Sequence, residues 1–235
     1  SDPIETEPPP AERRAIAISI GEGHACALSS DAQVYCWGEN ASGQLGLGHT
    51  ASVDPGSAPL SPVDLGTGRT VHELASGPQF NCALLDDRSV KCWGENGSGQ
   101  LGIGDRAARG DGASEMGDAL EPVRDATGEL VRATRVAVGQ GTACVIRDDG
   151  RITCWGNNSY GQLGPTETAI DVPVPAAAIE VGTGLVPSQI AIGGPGGAHV
   201  CVVLGGARSG LKCWGYNGVG ALGQGRIDLD FDQPA

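Results

Sequence analysis

Apolar residues gather in four short runs, each closing on a glycine. They are Ile16-Ala17-Ile18-Ser19-Ile20-Gly21, Val71 to Gly77, Val136-Ala137-Val138-Gly139 and Ile190-Ala191-Ile192-Gly193. After each run the pattern turns to alternation, the mark of a strand with two unlike faces. In the first repeat the alternating stretches are Ala25 to Ser29 and Gln33 to Trp37. Successive side chains on a strand point to opposite faces. Cys26, Leu28, Val34 and Cys36 therefore share one face, and Tyr35 and Trp37 take the other. Both faces carry bulk, so each sheet is expected to be covered on both sides, as in a stacked array.

Between the alternating stretches lie turn residues. The turn centres on Asp31 in the first repeat, on Leu85-Asp86-Asp87-Arg88 in the second and on Asp148-Asp149-Gly150 in the third. In the fourth it is a wider, Gly-rich tip, Gly205-Gly206-Ala207-Arg208-Ser209-Gly210. These are hairpin signals. Each hairpin ends in Cys-Trp-Gly, at Cys36, Cys92, Cys154 and Cys213, and all 4 tryptophans belong to these motifs. Folding each hairpin about its turn sets Cys26 opposite Cys36, Cys82 opposite Cys92, Cys144 opposite Cys154 and Cys201 opposite Cys213. Directly opposed residues come close enough for a disulfide. Free thiols leave the repeated pairing unexplained, and zinc needs CxxC-like clusters that are absent. Four intra-hairpin disulfides are expected, and with them an oxidising compartment: periplasm, cell surface or medium.

A second signature follows each hairpin. It runs from Glu39 to Gly48, from Glu95 to Gly104, from Asn157 to Gly164 and, with Ala221 in place of Gln, from Tyr216 to Gly225. Its glycines suit positive φ, its Asn suits a turn, and Leu45, Leu101, Leu163 and Leu222 are expected to plug the core. Together with Trp37, Trp93, Trp155 and Trp214 they are the expected blade-packing residues. A short x-Pro-Val stretch then reads as an outer strand, at Ser61-Pro62-Val63, Glu121-Pro122-Val123 and Val172-Pro173-Val174. Pro is tolerated there. Four strands per repeat make a propeller blade, and the fold class is all-β. The repeats run over about 15–65, 66–126, 127–177 and 178–235, behind an acidic, Pro-rich tether at 1–14.

Gly-x-x-His on the second strand, Cys-Trp-Gly and Asn-x-x-Gly-Gln-Leu-Gly resemble the repeats of the regulator of chromosome condensation family over nearly all of residues 15–227. The resemblance implies a β-propeller of four-stranded blades, most often seven. It implies protein binding: a small GTPase and chromatin in the eukaryotic namesake, β-lactamases in a secreted bacterial inhibitor. The paired cysteines resemble those of secreted bacterial relatives. The family His matches at His24, while Phe80 and Thr142 stand at the next two positions and His199 is offset, so no GTPase- or chromatin-binding residue carries over. Four repeats leave two readings open: a slice or open arc of a larger propeller, which we favour, or a small closed ring completed by the N-terminal segment. An open arc exposes apolar end faces and invites self-association.

Charge narrows the partners. Net charge is −13, and the 15 Lys and Arg form no cluster, against nucleic-acid binding. No apolar run reaches the length of a transmembrane span. Asp86-Asp87 and Asp148-Asp149 could act as paired carboxylates of a glycosidase, but Asp is routine at a hairpin tip. Asp148 to Trp155 also resembles the Asp-box of sialidases, a structural turn. Asp228, Asp230 and Asp232 could hold Ca²⁺, though a solvated strand end fits the pattern better. No cofactor or metal is expected. The variable segments are His49 to Leu60, Asp105 to Leu120 and Pro165 to Asp171, expected on one face of the array. If a partner docks, His49, Arg106, Arg109, Asp111, Glu115 and Met116 are the candidates; the other reading is a loop of no consequence. The expected function is a non-catalytic secreted or cell-surface scaffold that binds protein through its loop face. The alternatives are a glycan-binding or sialidase-like or lyase propeller, or a purely structural surface module.

Overall fold

Hairpin formation dominates the architecture. In the first sheet β1 (Ala15–Ile20) pairs with β2 (His24–Ser29), and β2 with β3 (Val34–Gly38). The second holds β4 (Val71–Ser76), β5 (Phe80–Leu85) and β6 (Val90–Gly94). The third holds β7 (Ala133–Val138), β8 (Thr142–Arg147), β9 (Ile152–Asn157) and β10 (Asp171–Val172). The fourth holds β11 (Leu185–Gly193), β12 (His199–Gly206) and β13 (Gly210–Gly215). All pairings are antiparallel. This computed structural model describes residues 13–56, 59–164, 167, 169–175, 177–193, 199–206, 209–223 and 225. Most of the tether and Asp228, Asp230 and Asp232 lie outside them.

The hairpin registers set Cys26 opposite Cys36, Cys82 opposite Cys92, Cys144 opposite Cys154 and Cys201 opposite Cys213. Each pair is a disulfide with its Cα atoms 4.1 Å apart. A closed loop of this size stabilises by about 3 kcal/mol in the chain-entropy model. The Gly of Cys-Trp-Gly is obligatory at this point. Gly94 has φ +105°, and a Cβ there would lie 2.4 Å from the Gln79 carbonyl oxygen.

The outer strand is weaker than the pattern predicts. Among the described residues a fourth strand forms only in the third sheet, as the two-residue β10. Elsewhere the outer edge is marked by single bridges: Gly38 to Val53, Tyr35 to Pro62 and Gly94 to Arg109. Pro62 has no N–H to extend a ladder. The outer edge is held instead by one repeated bond: Val63, Val123 and Ile179 each donate N–H, at 2.8 Å, to the carbonyls of Val34, Val90 and Ile152. In the third repeat that position therefore belongs to Ile179. Val172 pairs with Gly156, the register that Val53 occupies opposite Gly38, so Val172-Pro173-Val174 is not the counterpart of Ser61-Pro62-Val63.

The sheets stack face to face through three cores. Between the first and second sheets, Cys26, Leu28, Val34, Cys36 and Leu45 of one meet Ala83, Leu85 and Trp93 of the next. Trp155 sits likewise against Cys82, Leu84, Val90, Cys92 and Leu101. Trp214 does so against Cys144, Ile146, Ile152, Cys154 and Leu163. The three indoles are wholly buried. A buried tryptophan removes ~150–250 Å² from water, or about 4–6 kcal/mol at 25 cal/mol/Å² as an upper estimate. Each thus outweighs the disulfide it packs on. At the ends the stacking stops. Ile16, Ile18 and Ile20 are 62–68% exposed and Trp37 is partly exposed. On the last sheet Val203 and Leu211 are exposed. The described residues form an open arc, not a small closed ring.

A polar chain runs through the first interface. His24 is buried, with Nε2 3.0 Å from Asn81 Oδ1. Asn81 Nδ2 donates to the Gln44 carbonyl at 2.7 Å, and the Trp93 indole donates to the same oxygen at 3.0 Å. His24 stands opposite Gly38, as Phe80 does opposite Gly94, Thr142 opposite Gly156 and His199 opposite Gly215. His199 is thus in register after all. Counting from Gly193 misplaces it, because residues 194–198 intervene; counting back from Cys201 places it correctly.

Two outcomes follow from these contacts. Cys201 and Cys213 are partly exposed, while the other six cysteines are at most 1% exposed. Mild reductant with alkylation of the native protein should label Cys201 and Cys213 first, and equal labelling of all eight on peptide mass mapping would contradict this reading. Burial, opposed by the Asn81 hydrogen bond, holds the His24 pKa below its ordinary value. The unfolded chain then binds the proton more readily, so stability is full above the unfolded pKa of about 6.5 and falls as pH drops below it. His24→Phe copies the second blade, where Phe80 sits beside Gly77 as His24 sits beside Gly21. It should flatten the fall of the calorimetric melting temperature between pH 7 and 5; an unchanged slope would remove His24 as its source. His199, also lowered by burial, supplies a residual slope of the same sign.

Candidate protein-binding face

Each hairpin delivers the chain to the same end of the arc, where the Asn-x-x-Gly-Gln-Leu-Gly loop begins. The Asn is the pin. Asn96 Oδ1 accepts the Leu101 N–H at 3.0 Å. Its Nδ2 donates to the Asp105 and Ala107 carbonyls at 3.1 and 2.9 Å. Asn40 repeats this with Leu45, His49 and Ala51, and Asn158 with Leu163, Glu167 and Ala169. Asn217 binds Leu222 alike. All four are buried. The Gln side chains close the tight turn, accepting the N–H of Ser42, Ser98 and Tyr160. The next glycine lies under the neighbouring tryptophan: a Cβ on Gly102, at φ +70°, would stand 2.6 Å from Trp155 Nε1. The turn role read from the sequence covers only the first of the three Asn bonds. The other two fix the loop that follows.

These bonds fix residues 39–51, 95–109 and the described part of 157–170, each within its own loop. Arg106 ties two loops together, 2.9 Å from Asp171 and 3.1 Å from the Gly97 carbonyl. Arg109 Nη2 is 2.6 Å from Asp105 and its Nη1 donates to the Ala107 and Ala108 carbonyls. His49 is exposed, and its Nδ1 accepts the Ala51 N–H. The other candidates leave this face. Residues 110–118 run from the outer edge of the second sheet across to the first. Gly48 donates to the Gly110 carbonyl at 3.0 Å, Gly117 to the Asp64 carbonyl at 3.0 Å, and Thr67 N and Oγ1 to Asp118. Lys91 Nζ donates to the Gly117 carbonyl at 2.8 Å. Glu115 accepts the Gly110 and Gly112 N–H groups. Burial would raise the Glu115 pKa, but these two bonds outweigh it and hold the carboxyl below its ordinary value. Its neighbour Asp111 is raised, by burial first and then by Glu115. Met116 packs into the first core. From residue 110 onward the long insertion is therefore a stitch between blades; Asp105, Arg106 and Arg109 at its start are the charges it leaves at the loop face.

Between the second and third blades the loop face opens into a groove of about 410 Å³ lined by Glu95, Ser98, Gln140, Gly141, Asn157, Ser159 and Tyr160. Tyr160, 41% exposed, stands edge-on to Tyr216 of the fourth blade with ring centroids 4.9 Å apart. Glu22, Glu39 and Asp105 are exposed at the same end. The face thus offers aromatic, amide and mostly acidic groups. At the opposite end a second cavity of about 650 Å³ is lined by His72, Glu73, Asp86, Arg88 and Arg135 among others. Burial there raises the Glu73 pKa.

The hairpin-tip carboxylates serve the turns. Asp87 accepts the Ser89 N–H and Oγ–H, and Asp149 accepts Arg151 N–H and guanidinium. Asp149 is held below its ordinary pKa by Arg151; Asp87 is lowered because bonds from Ser89 outweigh burial. A glycosidase acid needs the opposite shift. Among the described residues no group of three or more His, Cys, Asp or Glu is placed to hold a metal ion. Among the described residues no helix is long and apolar enough to cross a membrane.

Asn96→Ala leaves a buried N–H and two carbonyls without partners, which costs roughly 2–4 kcal/mol. Urea unfolding followed by tryptophan fluorescence should show that loss, against a change within about 0.5 kcal/mol for Ser98→Ala on the same loop. Equal effects would deny Asn96 the pinning role.

Similarity to known proteins agrees with this geometry. Residues 15–44, 71–100 and 133–162 match the regulator of chromosome condensation (RCC1) repeat, and residues 31–84 match a second description of it. The ultraviolet-B receptor UVR8 of Arabidopsis thaliana is 30% identical over 215 residues, 91% of this chain and 44% of that protein. Human WBSCR16 superposes with a TM-score of 0.73 at 21% identity, over 94% of this chain and 52% of the other. Yeast RCC1 (Prp20), in its structure bound to Kap60, gives 0.72 at 22%, over 97% and 49%. The chain spans about half of the length of these relatives. A four-fold sheet repeat, the repeat signature and the shared propeller fold together place it: the chain belongs to the regulator of chromosome condensation repeat family.

Proposed function

We propose that this arc is a scaffold that binds another protein through the loop face, and that it carries no catalytic site of its own. One observation supports this most: buried asparagines pin residues 39–51, 95–109 and the described part of 157–170, each within its own blade, at one end of the arc. Rigid presentation lowers the ordering cost of association. The described cysteines are closed in disulfides, so no thiol is free at this face, and the hairpin-tip carboxylates lie at the other end of the blades, where turn bonds hold Asp87 and Asp149 below their ordinary pKa. Acidic Glu22, Glu39, Glu95, Asp105, Glu167 and Asp171 outnumber Arg106 and Arg109 there, so the face suits a basic protein surface with hydrogen-bond donors. The fold's yeast counterpart was crystallised with a bound partner, Kap60. Four disulfides fit an oxidising compartment, and we propose that the arc works outside the reducing cytosol.

Affinity capture from extract and medium of the source, repeated with Glu39→Lys plus Tyr160→Ala, tests the reading. A partner held by the native chain should be lost in this variant and kept by Arg88→Glu at the opposite end. Capture that survives the loop-face substitutions, or no partner for any form, would refute it.

A further inference from the structure

The two ends of the arc carry the same positions as the two sides of its internal interfaces. On the downstream side of each internal interface stand a tryptophan and an apolar residue of the innermost strand: Trp93 with Leu74, Trp155 with Val136, Trp214 with Ile190. Leu74, Val136 and Ile190 hold one register position, opposite Ala83, Val145 and Val202. In the first sheet Ile18 holds that position, opposite Ala27. There it is 62% exposed, with Ile16 and Ile20 beside it. On the upstream side stand a disulfide and two apolar residues next to it: Leu28 and Val34, Leu84 and Val90, Ile146 and Ile152, all 5% exposed or less. In the last sheet Val203 and Leu211 hold these positions beside Cys201–Cys213, at 40% and 66% exposure.

The polar lock is present as well. Trp93, Trp155 and Trp214 donate their indole N–H to the main-chain carbonyls of Gln44, Gln100 and Gln162, at 2.9–3.0 Å. Among the described residues Trp37 has no preceding sheet to supply that carbonyl. The fourth loop carries Ala221 at the Gln position. Because the acceptor is backbone, alanine provides it equally.

We propose that two copies of this chain join head to tail: the face of Ile16, Ile18, Ile20 and Trp37 on one copy stacks on the Val203, Leu211 and Cys201–Cys213 face of the other, and Trp37 donates to the partner's Ala221 carbonyl. Each copy has both faces, so two interfaces close one ring of eight sheets, within the range of known propellers. Size agrees: the chain superposes on 49–52% of the propellers it matches, so two arcs together have about the length of one such propeller. The contact continues an interface already built three times within each chain.

Sedimentation equilibrium of the 235-residue chain tests this. The native chain should weigh as two copies at tens of micromolar. Ile18→Glu and Leu211→Glu, both on exposed positions, should each be monomeric and fold normally by near-ultraviolet circular dichroism, with dissociation constants raised at least ~30-fold by the buried charge. Mixed together, they should form a one-to-one heterodimer, because the intact tail face of one meets the intact head face of the other. Acrylamide quenching of Trp37 should fall on association in the native chain. A native chain that stays monomeric at ~100 µM overturns the proposal, whether or not further blades of a longer chain would cover these faces. So does a Leu211→Glu variant that still dimerises, which would mean that the head faces pair with each other.

Discussion

The tryptophan of the second, third and fourth blades, buried against the blade before it, is the interaction on which the rest depends. Its ring fills the space above the preceding disulfide, and its N–H fixes it to one main-chain carbonyl of the preceding loop. That carbonyl belongs to the turn that the Gln side chain closes and the Asn side chain anchors. Gly102 lies under the indole because a side chain there would collide with it. One contact therefore ties together the packing of two sheets, the conformation of a surface loop and the choice of glycine. Loss of the tryptophan would loosen the loop face as well as the core.

The disulfides act inside the blade, the tryptophans between blades. The indole contributes more than the disulfide, and the two differ in kind. A disulfide restricts the unfolded hairpin, whereas an indole is rewarded only when two blades meet. The hairpin is thus secured before its neighbour arrives, and the array gains its stability at the junctions, as in other repeat proteins. The same design leaves a debt of exposed apolar surface wherever an array stops. Here it appears as three isoleucines at one end and Val203 with Leu211 at the other. A net charge of −13 opposes close approach of two chains at low salt and helps keep those ends from indiscriminate aggregation.

Much of this was legible in the sequence, and the misses have physical causes. The hairpins, their cysteine registers and the opposite faces of Cys and Trp follow from spacing and parity. The outer strand was over-read, since Pro62 supplies no donor and single bridges replace a ladder. Ile179 was missed because the third repeat lacks Pro at that point, and a nearby Val-Pro-Val drew the alignment. Arg109, Asp111, Glu115 and Met116 looked like a free loop, yet Gly43, Gly48, Asp64 and Thr67 of another blade receive that segment. No local pattern announces such a crossing.

By itself the sequence determined the period, the hairpin pairing and the division of each strand into a disulfide face and a tryptophan face. These rest on covalent spacing and side-chain alternation, which act within a few residues of chain. Only the tertiary structure decided which carbonyls the asparagines hold, where the long insertion goes and which apolar residues the two end faces expose. Those outcomes depend on which distant segments come side by side, and a side chain's partner across a junction leaves no mark on its own neighbours in sequence.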